Sequence, residues 1–305
     1  MTILLTGSSG TIGTRLFERL LDLDYEVIGV DRRENTWKSS LNRRTIRADL
    51  LSETDFDDIP RRVDMILHLA ANARVSQLIT NPREALDNIV MTFNVLEFAR
   101  RNAINRIMFS SSREVYGDLE GSATEDAVRI DACKNPYSSS KIAAEALIHA
   151  SRRVYGTSFM IVRFSNVYGM YDDSDRVIPQ WIKQSTKDQP LVVFGENKAV
   201  DFIYIDDAVD GFIKAMESFD RLSCQTFNIA YGRAERLTWL AQKLRDLVGS
   251  QSKIVTLDNR PGEVCRCEPN ISRAVALLGF KPKTDLNTGL ERAVDWYKQI
   301  YGRRT

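Results

Sequence analysis

The sequence lacks long apolar runs and an excess of charge of either sign. No segment of the 305-residue chain approaches the ~20 apolar residues of a membrane span, so we expect no transmembrane helix. No basic leader precedes the first apolar segment, so we expect no signal peptide. Lys+Arg number 42 and Asp+Glu 41, which gives a net charge of +1. This balance gives no support to binding of nucleic acid or of a membrane surface.

Cysteine and histidine are also scarce. The four cysteines contain no CxxC pair, which favours reduced thiols and a cytoplasmic protein. They are Cys133, Cys224, Cys265 and Cys267. Only His68 and His149 could help them bind a metal, so we expect no metal site.

The remaining composition is that of a globular protein, with 43% hydrophobic and 27% charged residues. Short apolar runs alternate with helical patterns in the first half, which predicts a parallel sheet covered by helices on both faces. The predicted strands are Ile3–Leu5, Tyr25–Val30, Arg43–Ala48, Met65–Leu69, Arg106–Ser110 and Phe159–Phe164. The second half is less regular and predicts a smaller mixed domain. Its predicted elements are helices Val177–Thr186, Leu237–Val248, Ile271–Leu278 and Leu286–Tyr301 and strands Leu191–Phe194 and Phe202–Ile205.

A glycine-rich turn joins the first strand to the first helix. Gly7, Gly10 and Gly13 permit a tight turn and a close approach of the backbone to a pyrophosphate at the helix N-terminus. Asp31 ends the second strand, where a carboxylate can accept both ribose hydroxyls of NAD. Arg32 and Arg33 follow it and leave NADP as an alternative.

A second set of residues indicates proton transfer. Tyr137 and Lys141 lie four residues apart and so share a helix face. We expect the ammonium to lower the phenol's pKa from about 10 toward the working pH, so that the phenol can take a proton from a carbinol. A serine run, 110–112, ends the fifth strand at the sheet edge where ligands bind.

Together these motifs resemble the extended short-chain dehydrogenase/reductases, the NAD-dependent epimerase/dehydratase family that acts on nucleotide sugars. The resemblance covers nearly the whole chain. Its further motifs are Ala48-Asp49-Leu50, His68-Leu69-Ala70-Ala71, Asn88, Val115-Tyr116-Gly117, Arg163 to Gly169, Asp201 to Asp207 and Arg260 to Glu263. It implies an α/β fold: a doubly wound (Rossmann) NAD domain, residues 1–165 with 203–230, and a smaller mixed substrate domain, residues 166–202 with 231–305.

The resemblance also implies roles for individual residues. Ser112 would bind the sugar 4-hydroxyl and Tyr137 would remove its proton, while Lys141 would hold the nicotinamide ribose. Asn166 and Arg260 would contact the substrate diphosphate. The remaining assignments are Glu263 to the nucleotide ribose, Arg113 and Cys267 to the sugar pocket, and Asp49, Leu50, Ala70 and Asn88 to the cofactor.

Two of the departures from the family pattern bear directly on the chemistry. Ser112-Arg113-Glu114 has arginine where 4,6-dehydratases of the family carry an acidic aspartate, although the glutamate that serves them as a base is present. An alternative is that Arg113 and Glu114 form an internal pair that shapes the pocket. Val200 stands where many relatives have a phosphate-binding arginine, and Lys198 lies two residues earlier.

These observations favour an NAD-dependent nucleotide-sugar 4-epimerase that acts on a UDP-hexose or its derivative through a transient 4-keto sugar. One alternative is a lyase, either a decarboxylase or a dehydratase, with Glu114 as an added base. Others are a net reductase or dehydrogenase and a non-catalytic NAD-binding sensor. In galactose-epimerase relatives a bulky residue at the position of Cys267 excludes N-acetyl groups, so we expect this small residue to admit them, unless Cys267 packs against a strand.

We also expect a homodimer. Helix 82–102 carries two apolar stripes, of which one can cover the sheet and the other requires a partner. The stripes are Leu86, Ile89, Val90 and Phe93, and Met91, Val95 and Phe98.

Overall fold

Seven strands form one parallel sheet in the computed structural model, which describes residues 1–119 and 121–302. The strand order is β11-β7-β5-β4-β1-β2-β3, and every neighbouring pair is parallel. The strands are β1 (Thr2–Thr6), β2 (Glu26–Asp31), β3 (Thr45–Arg47), β4 (Met65–His68), β5 (Arg106–Ser112), β7 (Ser158–Phe164) and β11 (Gln225–Ile229). Nearly all residues of β1, β4 and β7 are buried, because helices cover both faces of the sheet.

Two smaller sheets lie beside it. One has the order β12-β10-β14-β6, with β8 also paired to β10, and the other pairs β13 with β9. The strands are β6 (Ser122–Ala123), β8 (Asn166–Tyr168), β9 (Leu191–Phe194), β10 (Ala199–Tyr204), β12 (Ala234–Arg236), β13 (Ile254–Leu257) and β14 (Arg266–Pro269).

The helices cover the parallel sheet and complete the second half. They are α1 (Thr11–Asp22), α2 (Val75–Thr80), α3 (Arg83–Arg101), α4 (Pro136–Tyr155), α5 (Val177–Ser185), α6 (Ile205–Glu217), α7 (Phe219–Leu222), α8 (Leu237–Val248), α9 (Ser272–Leu278) and α10 (Leu286–Gly302). Among the described residues, none of these helices combines the length and apolarity needed to cross a bilayer.

The predicted fold class, a doubly wound α/β fold with a smaller mixed region, is confirmed, whereas the domain boundaries remain a prediction. One strand was misplaced: β10 begins at Ala199, and Ile205 already belongs to α6. The seventh strand of the parallel sheet, β11, was not predicted, and neither were the positions of the short strands β6, β8, β12, β13 and β14.

Two apolar clusters pack against the parallel sheet, one on each face. One is formed with side chains of α1 and α6, such as Leu16 and Phe212, and continues to Leu240 of α8. The other holds Val95 of α3 and Ile148 of α4. Because every strand of the sheet runs in the same direction, the ends of β1, β4 and β5 meet at one edge.

Candidate active site

The turn after β1 keeps its tight path because Gly7 and Gly13 carry no side chains. A Cβ on Gly7, whose φ is +72°, would lie 2.7 Å from the Ala70 nitrogen. A Cβ on Gly13 would lie 2.0 Å from the Gly7 oxygen. The N-cap of α1, Gly10, has no side-chain cap, so the first-turn N–H groups can bind phosphate oxygens. This arrangement fits the pyrophosphate of NAD.

Asp31 lies at the end of β2, beside this turn. Its Oδ2 accepts the Ser9 N–H at 2.9 Å and its Oδ1 accepts the Arg33 N–H at 2.9 Å. Each carboxylate oxygen keeps a lone pair for a ribose hydroxyl. Arg32 is directed elsewhere, since its Nη2 donates to Asn72 Oδ1 at 3.1 Å. The carboxylate therefore fits the adenosine ribose of NAD better than a 2′-phosphate.

The other predicted cofactor residues lie on the loops that follow β3 and β4 and on α3. Leu50 is buried, and Asp49 Oδ1 accepts the Leu51 N–H. Asn88 is also buried: its Oδ1 accepts the Asn72 N–H at 2.7 Å, and its Nδ2 donates to Ser140 Oγ at 3.2 Å. Asn88 thus ties the Ala70 loop to α4, the helix that carries Tyr137. Their roles toward NAD remain predictions.

Ser112, Tyr137 and Lys141 meet where β5 ends against α4. Asn135 caps α4 by accepting the Ser138 N–H at 2.8 Å, and Pro136 occupies the first turn. This start fixes Tyr137 in the first turn, where its phenol is buried and hydrogen bonded with Ser112. The Lys141 Nζ lies 5.8 Å from the centroid of the Tyr137 ring.

The protonation of this set differs from the prediction. Burial raises the pKa of Tyr137 to about 12, although the charge of Arg176 opposes this shift. Burial also lowers the pKa of Lys141 to about 8, and its Nζ donates to the Ser110 carbonyl oxygen at 2.8 Å. The predicted lowering of the phenol's pKa is therefore wrong for this structure, because desolvation outweighs the nearby cations.

A buried ion pair holds the end of β5 against α4. Arg163 of β7 donates from Nε and Nη2 to the two carboxylate oxygens of Glu145 at 2.9 and 2.6 Å. Ser111 Oγ donates to the same carboxylate at 2.5 Å. Glu145 follows Lys141 by one helical turn, so this network fixes the strand end and the helix face that form the site.

Arg113 and Glu114 form a second buried pair on the 3₁₀ turn after β5, Arg113–Tyr116. The distance from Arg113 Nη2 to Glu114 Oε1 is 2.9 Å, and each side chain is 8% exposed. Glu114 Oε2 accepts from Asn135 Nδ2 at 3.0 Å. Arg113 Nη2 also donates to Asn166 Oδ1 at 3.2 Å. Both oxygens of the Glu114 carboxylate therefore have partners within the protein. This agrees with the alternative that Arg113 and Glu114 form an internal pair that shapes the pocket.

Cys267 is fully buried in β14 and has no surface for a ligand. It packs with Val115, Tyr116 and Val264, and its Sγ lies 4.0 Å from the Arg113 carbonyl oxygen. Burial raises the pKa of the thiol to about 11. The structure therefore favours the alternative in which Cys267 packs against a strand. The small size of Cys267 then gives no reason to expect space for an N-acetyl group.

Arg260 and Glu263 belong to a charge cluster on the loop before β14. Glu263 Oε2 is 2.6 Å from Lys198 Nζ, and its Oε1 is 3.6 Å from Arg260 Nη1. The Arg260 guanidinium lies 3.6 Å from the centroid of the Phe194 ring. The Gly262 oxygen accepts from Asn135 Nδ2 at 2.9 Å, which ties this loop to the site through the same amide that binds Glu114.

Two residues of the site were missed from the sequence. Asn135 joins Glu114, Gly262 and the start of α4, and the Asn-Pro pair before Tyr137 is a helix-start signal that could have indicated it. Arg176 brings its charge to Tyr137 from the loop before α5, and it pairs with Asp172 at 3.6 Å. No local pattern indicates Arg176, because its approach depends on the fold.

Within residues 1–119 and 121–302, no group of three or more His, Cys, Asp or Glu side chains could hold a metal ion.

Comparison with known proteins shows the family to which the chain belongs. The sequence profile described as the NAD dependent epimerase/dehydratase family matches residues 3–230, more than half of the chain. The chain therefore belongs to the NAD dependent epimerase/dehydratase family. The predicted family is confirmed, and NAD is confirmed as the cofactor at the level of the family.

Individual relatives include both epimerases and a dehydratase. A putative UDP-glucose 4-epimerase of Methanocaldococcus jannaschii is 31% identical over 306 residues, covering 97% of this chain and 98% of that protein. The UDP-glucuronic acid 4-epimerase of Bacillus cereus, solved with UDP-glucuronic acid and NAD, is 29% identical with a TM-score of 0.90, covering 99% of this chain and 100% of that one. A dTDP-glucose 4,6-dehydratase of Streptomyces venezuelae is 25% identical with a TM-score of 0.91, covering 99% and 98%. The fold alone therefore does not separate the two reactions.

Proposed function

We propose that this protein is an NAD-dependent UDP-sugar 4-epimerase. The observation that carries the proposal is the engagement of Glu114, whose two oxygens bind Arg113 and Asn135 inside the protein. The relatives named as UDP-glucose and UDP-glucuronate 4-epimerases support the UDP-sugar class.

The lyase alternative requires Glu114 to accept a proton from the sugar. Both oxygens of the Glu114 carboxylate already have partners, Arg113 and Asn135, so a proton from the sugar would have to displace one of these buried contacts. The neighbouring acid that a dehydratase of this family uses is replaced by Arg113, which does not give up a proton at neutral pH. These contacts favour a positioning role for Glu114.

Epimerisation needs only the groups that surround Tyr137. NAD held by the glycine turn and Asp31 would supply the hydride acceptor for the sugar C4 and the hydride donor for its return. Tyr137 takes the proton of the 4-hydroxyl as the C4–H bond breaks, which requires its tyrosinate form, and the resulting phenol gives this proton back when the ketone is reduced from the opposite face. Ser112 orients the oxygen, and the Lys141 charge stabilises the tyrosinate while it exists.

We expect the rest of the substrate to extend from Ser112 toward Asn166 and Arg260, with the sugar held near Arg113. The Asn166 side chain joins Arg113 to β10, since its Oδ1 accepts from Arg113 and its Nδ2 donates to the Asp201 carbonyl oxygen at 2.7 Å. The proposal includes a homodimer in the cytoplasm.

Product analysis tests this function. The purified protein is incubated with UDP-glucose and, separately, with UDP-glucuronic acid, and the products are examined by mass spectrometry and NMR. A product of unchanged mass with inverted C4 is expected. Loss of water or of carbon dioxide would make the protein a lyase, and a two-hydrogen change would make it a net oxidoreductase.

A further inference from the structure

Lys198 lies on the same face of the sheet that contains β10 as Val200, the position where many relatives carry a phosphate-binding arginine. It directly precedes β10, and its carbonyl oxygen accepts the Leu237 N–H at 3.0 Å, which extends the pairing of β10 with β12. Residues two apart in a strand share a face, so Lys198 and Val200 lie on one side. Their neighbours Asn197 and Ala199 line a cavity of about 540 Å³ on the other side.

Val200 cannot bind an anion, because its side chain is apolar and 3% exposed. Lys198 brings a charge to this face instead, and its Nζ lies 2.6 Å from Glu263 Oε2. The Lys198 and Glu263 side chains are 12% and 18% exposed, so water screens their interaction only partly.

The cluster of Lys198, Arg260 and Glu263 carries two cations and one carboxylate. It therefore has an excess positive charge, which an anionic ligand group can neutralise. Arg260 is the more exposed cation, with 47% of its side chain accessible, and it is 3.6 Å from Glu263 Oε1. The carboxylate thus holds both cations in place without balancing both of them.

The cluster lies along the path expected for the substrate. Gly262, next to Glu263, is bonded to Asn135, which also holds Glu114 beside Ser112. Asn166, the other predicted diphosphate ligand, pairs with Phe202 of β10, the strand that Lys198 precedes. A diphosphate that contacts Asn166 and Arg260 therefore lies within reach of the face that carries Lys198.

We propose that Lys198 is a diphosphate-binding residue of this chain and that Glu263 is its counter-ion when no nucleotide is bound. On binding, the ammonium of Lys198 and the guanidinium of Arg260 exchange the carboxylate for phosphate oxygens. The Glu263 carboxylate then accepts a ribose hydroxyl. This inference rests on the proposed UDP-sugar function, and it assigns to Lys198 the task of the missing arginine at position 200.

The test is titration calorimetry of the NAD-loaded protein with UDP. Lys198→Met is expected to weaken UDP binding by about 10- to 100-fold, the range for losing a hydrogen bond to a charged group. Its UDP affinity should also depend less on salt than that of the unmodified protein. Lys198→Arg should restore most of the affinity. Lys38→Met is the matched control, since it breaks a Lys–Glu pair of 2.9 Å with Glu18, and it should bind UDP normally.

A second variant separates ligand binding from a structural role. Glu263→Gln keeps an oxygen for the ribose but removes the competing charge, so UDP should bind more tightly than to the unmodified protein. In turnover, Lys198→Met should raise KM with little change in kcat. If both variants bind UDP as the unmodified protein does, the role of Lys198 is refuted while the proposed function stands. If the unmodified protein does not bind UDP, both the role of Lys198 and the proposed UDP-sugar function are refuted.

Discussion

Glu114→Gln removes the carboxylate that neutralises the buried Arg113 guanidinium. The two groups are 2.9 Å apart and each side chain is 8% exposed, so the remaining cation would stay out of water without a counter-charge. Breaking a buried pair by removing one partner costs about 3–5 kcal/mol. We expect a loss of about 3 kcal/mol, the lower end, because a glutamine can still accept the Asn135 bond.

The double variant Arg113→Met/Glu114→Gln should recover most of this loss, because no charge then remains buried. Urea unfolding of the two single variants, the double variant and the unmodified protein completes the cycle and gives the coupling energy. Equal stability of Glu114→Gln and the unmodified protein would refute the buried-pair account.

The same variant separates positioning from catalysis. Removal of a general acid or base typically costs ~10²–10⁴ in rate. If Glu114 only positions its neighbours, folded Glu114→Gln should lose less than this range in turnover on UDP-sugars. A loss of that size at unchanged fold would restore Glu114 as a base and favour the lyase.

Four further predictions follow from the site. Tyr137→Phe should bind NAD in a titration yet lose ~10²–10⁴ in turnover, and a near-normal rate would remove the phenol from the mechanism. NAD should bind more tightly than NADP, because Asp31 would repel a 2′-phosphate. Equal affinities would show that a residue other than Asp31 determines binding at the 2′ position. Lys141 has a pKa of about 8 and is charged below it, so kcat/KM should fall as the pH rises through about 8; a rate that keeps rising there would contradict a need for the ammonium. Light scattering should show a dimer that Phe93→Glu dissociates, since Leu86 and Phe93 are 45% and 50% exposed on α3; a monomeric unmodified protein would contradict this.

The sequence predicted the parallel sheet well because its strands are continuous apolar runs, such as Phe159–Phe164 within β7. It did not predict β11, the seventh strand of this sheet, or the pairing of the short strands β6 and β14, which joins Ser122 to Glu268 across a large sequence separation. No local pattern encodes such a pairing.

The candidate site shows the same difference between local patterns, which the sequence indicates, and contacts between distant segments. The glycine turn, Asp31 and the Tyr137–Lys141 spacing are local patterns, so the sequence indicated them. The contacts of Glu114 with Asn135 and of Lys198 with Glu263 join distant segments, so the sequence indicated neither. Burial, which sets the pKa of Tyr137, is also a property of the whole fold.

The central claim, a transient oxidation at C4 followed by return of the same hydride, is tested most directly with a UDP-sugar deuterated at C4. The account predicts that the product has inverted C4, unchanged mass and full retention of deuterium at C4. A product that has lost water and carries the deuterium at C6 would contradict it, as would a deuterium-free C4.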